Sequence, residues 1–211
     1  MVFLTIDPGL DGVGVAVFDI GLWRQQRNLP DNLRSLWALR RTALIETSTK
    51  DALPVRLHSI AAQVTEAVLF WSPVKVYVER PAIDGVYRAR RRGNNQSTLA
   101  GQNRLYESRG AILAATTAAM LVIQHRPEDV IDIEAGGIPK GNRHRMLAYS
   151  EDQVRKLLER PNVTRTAGPV TLPRGPRGGI PSDEWDAVWI GIQAFSRIEA
   201  DMRPPRVAVA P

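Results

Sequence analysis

Short apolar runs that end on an acid recur along this chain. VFLTID (2–7) is a β-branched run closed by Asp7; after the turn DPGLDG, VGVAVFD (13–19) predicts the return strand of a hairpin. TALIETS (42–48) predicts a third strand of an antiparallel meander, and VKVYVE (74–79) and DVIDIE (129–134) predict two more, each ending on an acid. Between them, Leu57, Ile60, Ala61, Val64, Ala67, Val68 and Trp71 recur at helical spacing from Pro54 until Pro73 stops the run. A long helix is predicted from about Thr98 to Val122, with an Ala- and Gly-rich second half suited to packing on a sheet. SEDQVRKLLE (150–159) predicts a helix capped by Ser150, after the loop GGIPKGNRHR, and SDEWDAVWIGIQAFSRI predicts a last helix from Ser182. Residues 21–41, with Trp23 and Trp37 around Pro30, read as an insertion or a short helix. Three strands followed by alternating helices and strands predict an α/β fold, a mixed sheet with helices on both faces.

Composition narrows the class. The sequence has 211 residues, 44% apolar and 24% charged, the usage of one globular domain. With no cysteine, a disulfide scaffold, a thiolate zinc site, an iron–sulfur cluster and a cysteine nucleophile are excluded. Three histidines leave little for a His-rich metal site. No apolar run has a membrane span's length and no organic cofactor signature is present, so a cytoplasmic protein without a membrane partner is expected.

Charge is uneven. Arginine outnumbers lysine 24 to 4, and residues 80–109 carry seven arginines against two acids. Residues 140–182 carry nine basic residues against three acids, while 110–139 and 183–211 are net acidic. A solvated basic surface is the ordinary reading; two separate Arg-rich stretches point instead to a polyanion, above all nucleic acid.

The acids at element ends carry the candidate chemistry. Asp7 and Glu79 close strands, and Asp183 and Asp186 lie three apart at the start of the last helix, on one face. Each has an ordinary reading by itself. Asp7 suits a turn before Pro8-Gly9, Glu79 an edge pairing with Arg80, and Asp183 with Glu184 the positive end of a helix dipole. Asp186 fits such a reading less well, because AVWIGI follows it at once. Four converging carboxylates repel one another unless cations intervene, and oxygen donors of this kind suit Mg²⁺. Two such ions, roughly 3.5–4 Å apart, serve phosphodiester hydrolysis.

The order DPGLDGVGVAVFD, VYVERP and SDEWDAV resembles the RuvC-type Holliday junction resolvases, members of the RNase H-like (retroviral integrase-type) nuclease superfamily. Asp7 falls at the catalytic aspartate position, Glu79 at the glutamate ending the fourth strand, and Asp183 with Asp186 on the final D-x-x-D-A helix. Asn95-Gln96-Ser97 and Arg109-Gly110-Ala111-Ile112 resemble the family's DNA-contacting Asn/Ser loop and the R-G start of a packed helix. The resemblance implies an RNase H-like fold with a five-stranded mixed sheet over residues 1–200, with 21–41 as an insertion and 201–211 as a tail; nine Pro or Gly within 161–181 predict a mobile loop there.

It further implies an endonuclease that binds two Mg²⁺ (Mn²⁺ substituting) at Asp7, Glu79, Asp183 and Asp186. Its partners would be branched DNA, the four-way junction, and a second copy in a homodimer. Tyr87, Arg88, Arg90, Arg91, Arg92, Asn95, Ser97, Lys140, Arg143, His144 and Arg145 are the expected DNA contacts. Two positions depart from the family pattern. Ala82 stands where an aromatic wedge is usual, leaving Tyr87 as the nearest candidate, and Glu151 stands at a later lysine position, with Arg143, Arg145, Arg155 or Lys156 to compensate.

Other classes compete. An actin-like sugar kinase or ATPase also opens on a D-x-G turn, but it needs a second Gly-rich phosphate loop and a second domain. A non-catalytic DNA-binding protein on the same fold has no use for acids that repel phosphate. Among nucleases, enzymes cutting flaps, nicks or RNA–DNA hybrids are the main alternative.

Overall fold

The structure is a computed structural model, and it describes residues 1–80, 95–134, 136, 138–166, 170–175 and 178–201, with the backbone course alone for 95–102 and 199–201. Strands β1 (Val2–Asp7), β2 (Gly12–Asp19), β3 (Leu39–Glu46), β4 (Lys75–Glu79) and β5 (Val130–Ile133) form one sheet in the order β3-β2-β1-β4-β5. The first three pair antiparallel, and β1, β4 and β5 run parallel, so the mixed five-stranded sheet is as expected.

Side-chain alternation sorts the sheet's two faces. Leu4, Ile6, Val13, Val15, Val17, Val76 and Val78 point toward helices α3 (Leu53–Trp71) and α4 (Asn95–Val122), where they join Ile60, Val64, Val68, Ile112 and Met120 in one core. Phe3, Phe18, Tyr77 and Ile133 point the other way, into a second core with α1 (Ile20–Gln25), α2 (Asp31–Ala38), α5 (Lys140–Leu158) and α6 (Ser182–Asp201). Asp7 and Glu79 share the parity of Phe3 and Tyr77, so both acids belong to the α6 face.

Three sequence expectations change. Residues 21–41, read as an insertion or a short helix, form most of two short helices whose Trp23 and Trp37 are buried. Asp19 caps α1 by accepting from the N–H of Gly21 at 2.8 Å and of Leu22 at 3.3 Å. Trp23 stacks on Phe195 of α6, with ring centroids 4.7 Å apart, and the Arg34 guanidinium covers its other side at 3.2 Å. These rings are core, which is why the segment is ordered.

The second change is at α5, which starts ten residues before the predicted cap. Pro139 occupies the N-cap position, and Ser150 is buried mid-helix. Gly141 and Asn142 suggest a loop locally, but Leu147, Glu151, Val154 and Leu158 form a stripe whose inward face extends back to Lys140. The third change is at Asn95-Gln96-Ser97, which begin α4 instead of preceding a helix, so Arg109-Gly110 fall within that helix.

Within 161–181, residues 170–175 are tied to the domain. Leu172 is fully buried, its N–H donates to Glu151 Oε1 at 2.8 Å, and Arg174 pairs with the other oxygen of Glu151. Trp185 Nε1 donates to the Pro173 carbonyl at 3.0 Å. Among the described residues no helix is long and apolar enough to cross a membrane.

Candidate active site

The site is built where β1 and β4 end and α6 begins. β1 and β4 are parallel neighbours, with Ile6 opposite Val78, so their next residues, Asp7 and Glu79, leave the sheet side by side. Asp7 stands opposite Gly14 of β2 in the hairpin register. That glycine is essential to the geometry. A Cβ built on Gly14 falls 1.9 Å from the Asp183 carbonyl oxygen and 2.9 Å from the Glu184 nitrogen, inside the backbone of α6. A Cβ on Gly12 falls 2.7 Å from Asp183 Oδ2. The bare face of β2 at Gly12 and Gly14 thus admits the first turn of α6 against the sheet, next to Asp7.

Other contacts fix α6 in that seat. Thr5 Oγ1 donates to the Ala187 carbonyl at 2.7 Å. Further along, a Cβ on Gly191 would fall 2.1 Å from the Phe18 ring, so the helix lies on that ring as closely as a backbone can. The loop after β1 is held separately. Arg56, buried on α3, donates to the Leu10 carbonyl at 2.9 Å and to Thr47 Oγ1 at 3.0 Å, and pairs with Asp11. Ser108 Oγ of α4 donates to the Gly9 carbonyl at 2.6 Å.

Asp7, Glu79, Asp183 and Asp186 come together electrostatically. Asp7 is half-buried and hydrogen-bonded to Glu79, and its carboxyl is held well above the usual carboxylate range. Burial is the first cause, the Glu79 hydrogen bond and charge come next, and the charges of Asp186 and Asp183 add to them. Asp183 Oδ1 accepts from Ser182 Oγ at 3.0 Å. Glu184 points toward β3, near Thr42 and Glu46, and burial raises its carboxyl too, with Asp183 and Glu46 adding to the rise and the Thr42 hydrogen bond opposing it.

Basic residues of α5 complete the site. Lys140 Nζ lies 2.5 Å from Asp186 Oδ2, and His144 Nε2 lies 3.2 Å from Asp186 Oδ1. The His144 ring packs edge-on against Trp185 at 5.7 Å between centroids. Arg143 Nη1 stands 3.9 Å from Glu79 Oε1, while its guanidinium donates to the Ile138 carbonyl at 2.7 Å and the Gly136 carbonyl at 3.2 Å. Arg145 is exposed on the outer side of the same helix.

Of the residues expected from the sequence, the structure joins Asp7, Glu79, Asp183, Asp186, Lys140, Arg143 and His144. Tyr87, Arg88, Arg90, Arg91 and Arg92 lie outside the described residues, as do the side chains of Asn95 and Ser97. Glu151, at the position compared with a family lysine, is a buried anchor for residues 172–174 and does not face the site. Sequence reasoning missed Gly12 and Gly14, whose even spacing along β2 puts them on the α6 face. It also missed Arg56, for which no local signal exists.

The all-oxygen donor set suits a hard divalent cation. As placed, however, no group of three or more His, Asp or Glu among the described residues is set to hold a metal ion. The ammonium of Lys140 supplies positive charge beside Asp186 in this arrangement.

The fold has solved counterparts. The structure of Thermus thermophilus RuvC in complex with a Holliday junction substrate superposes with a TM-score of 0.55 at 19% identity, covering 94% of this chain and 96% of that one. A second Thermus thermophilus RuvC structure gives 0.50 at 18% identity, covering 94% and 97%. At such identities the likeness shows the fold: a mixed α/β sheet of the RuvC type. No family model matches the sequence, and no curated protein matches it.

Proposed function

We propose that this chain is a metal-dependent endonuclease that resolves four-way DNA junctions by paired symmetric nicks, leaving 5′-phosphate and 3′-hydroxyl ends. One observation carries the reading. Asp7 and Glu79 leave adjacent parallel strands on the same face, and α6 is seated over Gly14 so that Asp183 and Asp186 meet them. Mutual repulsion in a cluster of partly buried acids has no structural benefit, whereas it concentrates divalent cations. The RuvC-type fold, found in a protein solved with a Holliday junction, supports branched DNA as the substrate.

Asp7, Glu79, Asp183 and Asp186 are the residues that would hold Mg²⁺, with Mn²⁺ as a substitute. Two such ions supply an activated water for in-line attack and stabilisation of the departing 3′ oxygen. The chain's own side chains do the rest. Arg143, its guanidinium fixed by two backbone carbonyls, keeps positive charge beside Glu79. Lys140, His144 and Arg145 present donors for the phosphate backbone along α5, and Tyr87, Arg88, Arg90, Arg91, Arg92, Asn95 and Ser97 extend that contact on the family pattern. A homodimer would match the two-fold symmetry of the junction and set two sites on opposed strands.

The test is cleavage of a labelled four-way junction with Mg²⁺ and with EDTA, beside a duplex, a flap and an RNA–DNA hybrid. Paired metal-dependent nicks in the junction alone are expected. Cutting of the flap or hybrid instead would keep the carboxylate site and replace the substrate.

A further inference from the structure

Asp186 is the acid of this cluster best supplied with partners. It is 4% exposed, and each of its oxygens meets a side chain from the first turn of α5: Lys140 at 2.5 Å and His144 at 3.2 Å. Lys140 stands where its own helix disfavours its charge. It is the first residue of α5, where the helix dipole disfavours a cation. Burial also works against its charge, yet the hydrogen bond and attraction of Asp186, with Asp7 and Asp183 behind it, hold the ammonium above the ordinary lysine range. The stem is half exposed and flexible, so the ammonium can leave Asp186 without disturbing the helix.

We infer that Lys140 is a built-in counter-cation that occupies Asp186 until a divalent metal displaces it, so that metal entry and lysine release are one event. This rests on the metal-dependent nuclease reading above. Lys140 takes the Asp186 Oδ2 position that a metal ion would need, so the metal-bound and lysine-bound states of that oxygen exclude one another. Free protein therefore binds metal more weakly than its four acids alone would. The released ammonium remains beside the site at the start of α5, where a DNA phosphate stabilises it. By linkage, DNA and metal then each strengthen the binding of the other.

The experiment is Mn²⁺ binding to the DNA-free protein, by calorimetry or by the EPR signal of free Mn²⁺, for wild type, K140Q, K140R and R145Q. K140Q should bind Mn²⁺ about tenfold tighter or more, an effect on the scale of removing one close charge. K140R and R145Q should stay near wild type. R145Q makes the same change in net charge one turn away, so equal tightening by K140Q and R145Q would reduce the effect to the overall field and overturn the inference. Unchanged binding by K140Q would overturn it directly.

A second measurement needs no variant that alters the site's charge. Of the four lysines, the side-chain NMR signal lost in K140R identifies Lys140, and in wild type that signal should shift on Mg²⁺ addition. A signal that stays fixed at saturation sinks the displacement. Metal-dependent nicking with no tightening in K140Q would leave the nuclease reading intact and remove only this inference. No metal binding by any form would remove both.

Discussion

Two acids on the same side of this sheet, Glu151 buried and Asp7 half-buried, have opposite surroundings. Glu151, 6% exposed on α5, meets only donors: the Leu172 N–H on one oxygen and the Arg174 guanidinium on the other. Asp7, at the end of β1, is crowded by Glu79, Asp183 and Asp186. The first arrangement satisfies a desolvated charge and ties residues 170–175 to the domain. The second crowds a carboxylate with like charges, which on the proposed reading a ligand relieves. Burial does not separate a structural carboxylate from a functional one; the sign of its neighbours does.

The contrast is broken most sharply by neutralising each acid. Asp7→Asn should lower junction nicking at least about a thousandfold, because the lost group serves the reaction and not the fold. Junction binding and the melting temperature of that variant should be unchanged or higher; a clear loss of stability would mean that Asp7 is structural. Gly14→Ala attacks the seat shared by Asp7 and Asp183. It should cost about 3 kcal/mol by denaturant titration, since neither backbone can yield cheaply. Nicking by the protein that remains folded should fall further than that loss explains.

Glu151→Ala should do the reverse of Asp7→Asn. It leaves the Leu172 N–H without its acceptor and should cost about 2 kcal/mol. It should also speed tryptic cleavage after Arg174, with the carboxylate cluster and nicking per folded molecule retained. The smallest effect is in the pH dependence. Asp7 is raised in the folded state, so the folded chain keeps a proton that the unfolded chain releases in the ordinary carboxylate range. Stability is therefore lost as pH rises through the window between the two. In EDTA, the melting temperature of Asp7→Asn relative to wild type should climb from pH 4 toward neutrality. A flat difference would show that Asp7 is not shifted.

The strands were the most legible part of this chain, because β-branched alternation is a local property and an acid at a strand's end breaks it visibly. Asp7, Glu79, Asp183 and Asp186 could be listed on that basis before any geometry. Their common face follows only once the parallel register of β1 and β4 is known, since spacing along a chain says nothing about pairing across it. α5 was hidden for a different reason: Pro139, Gly141 and Asn142 carry loop signals that burial of Leu147 and Val154 overrides. Lys140 and His144 thereby moved from a loop to a helix face that meets Asp186. Trp23 and Trp37 were visible as residues but not as core, because their partners, Phe195 among them, lie far along the sequence.

The bare backbone at Gly14 has a consequence for descent. Any missense change at that codon adds a Cβ where the start of α6 now lies. A lineage in which α6 retreats to make room would keep the sheet and its basic surfaces, and lose the meeting of four carboxylates. On the proposed function, one mutational step would thus separate a nuclease of this design from a protein that grips branched DNA without cutting it.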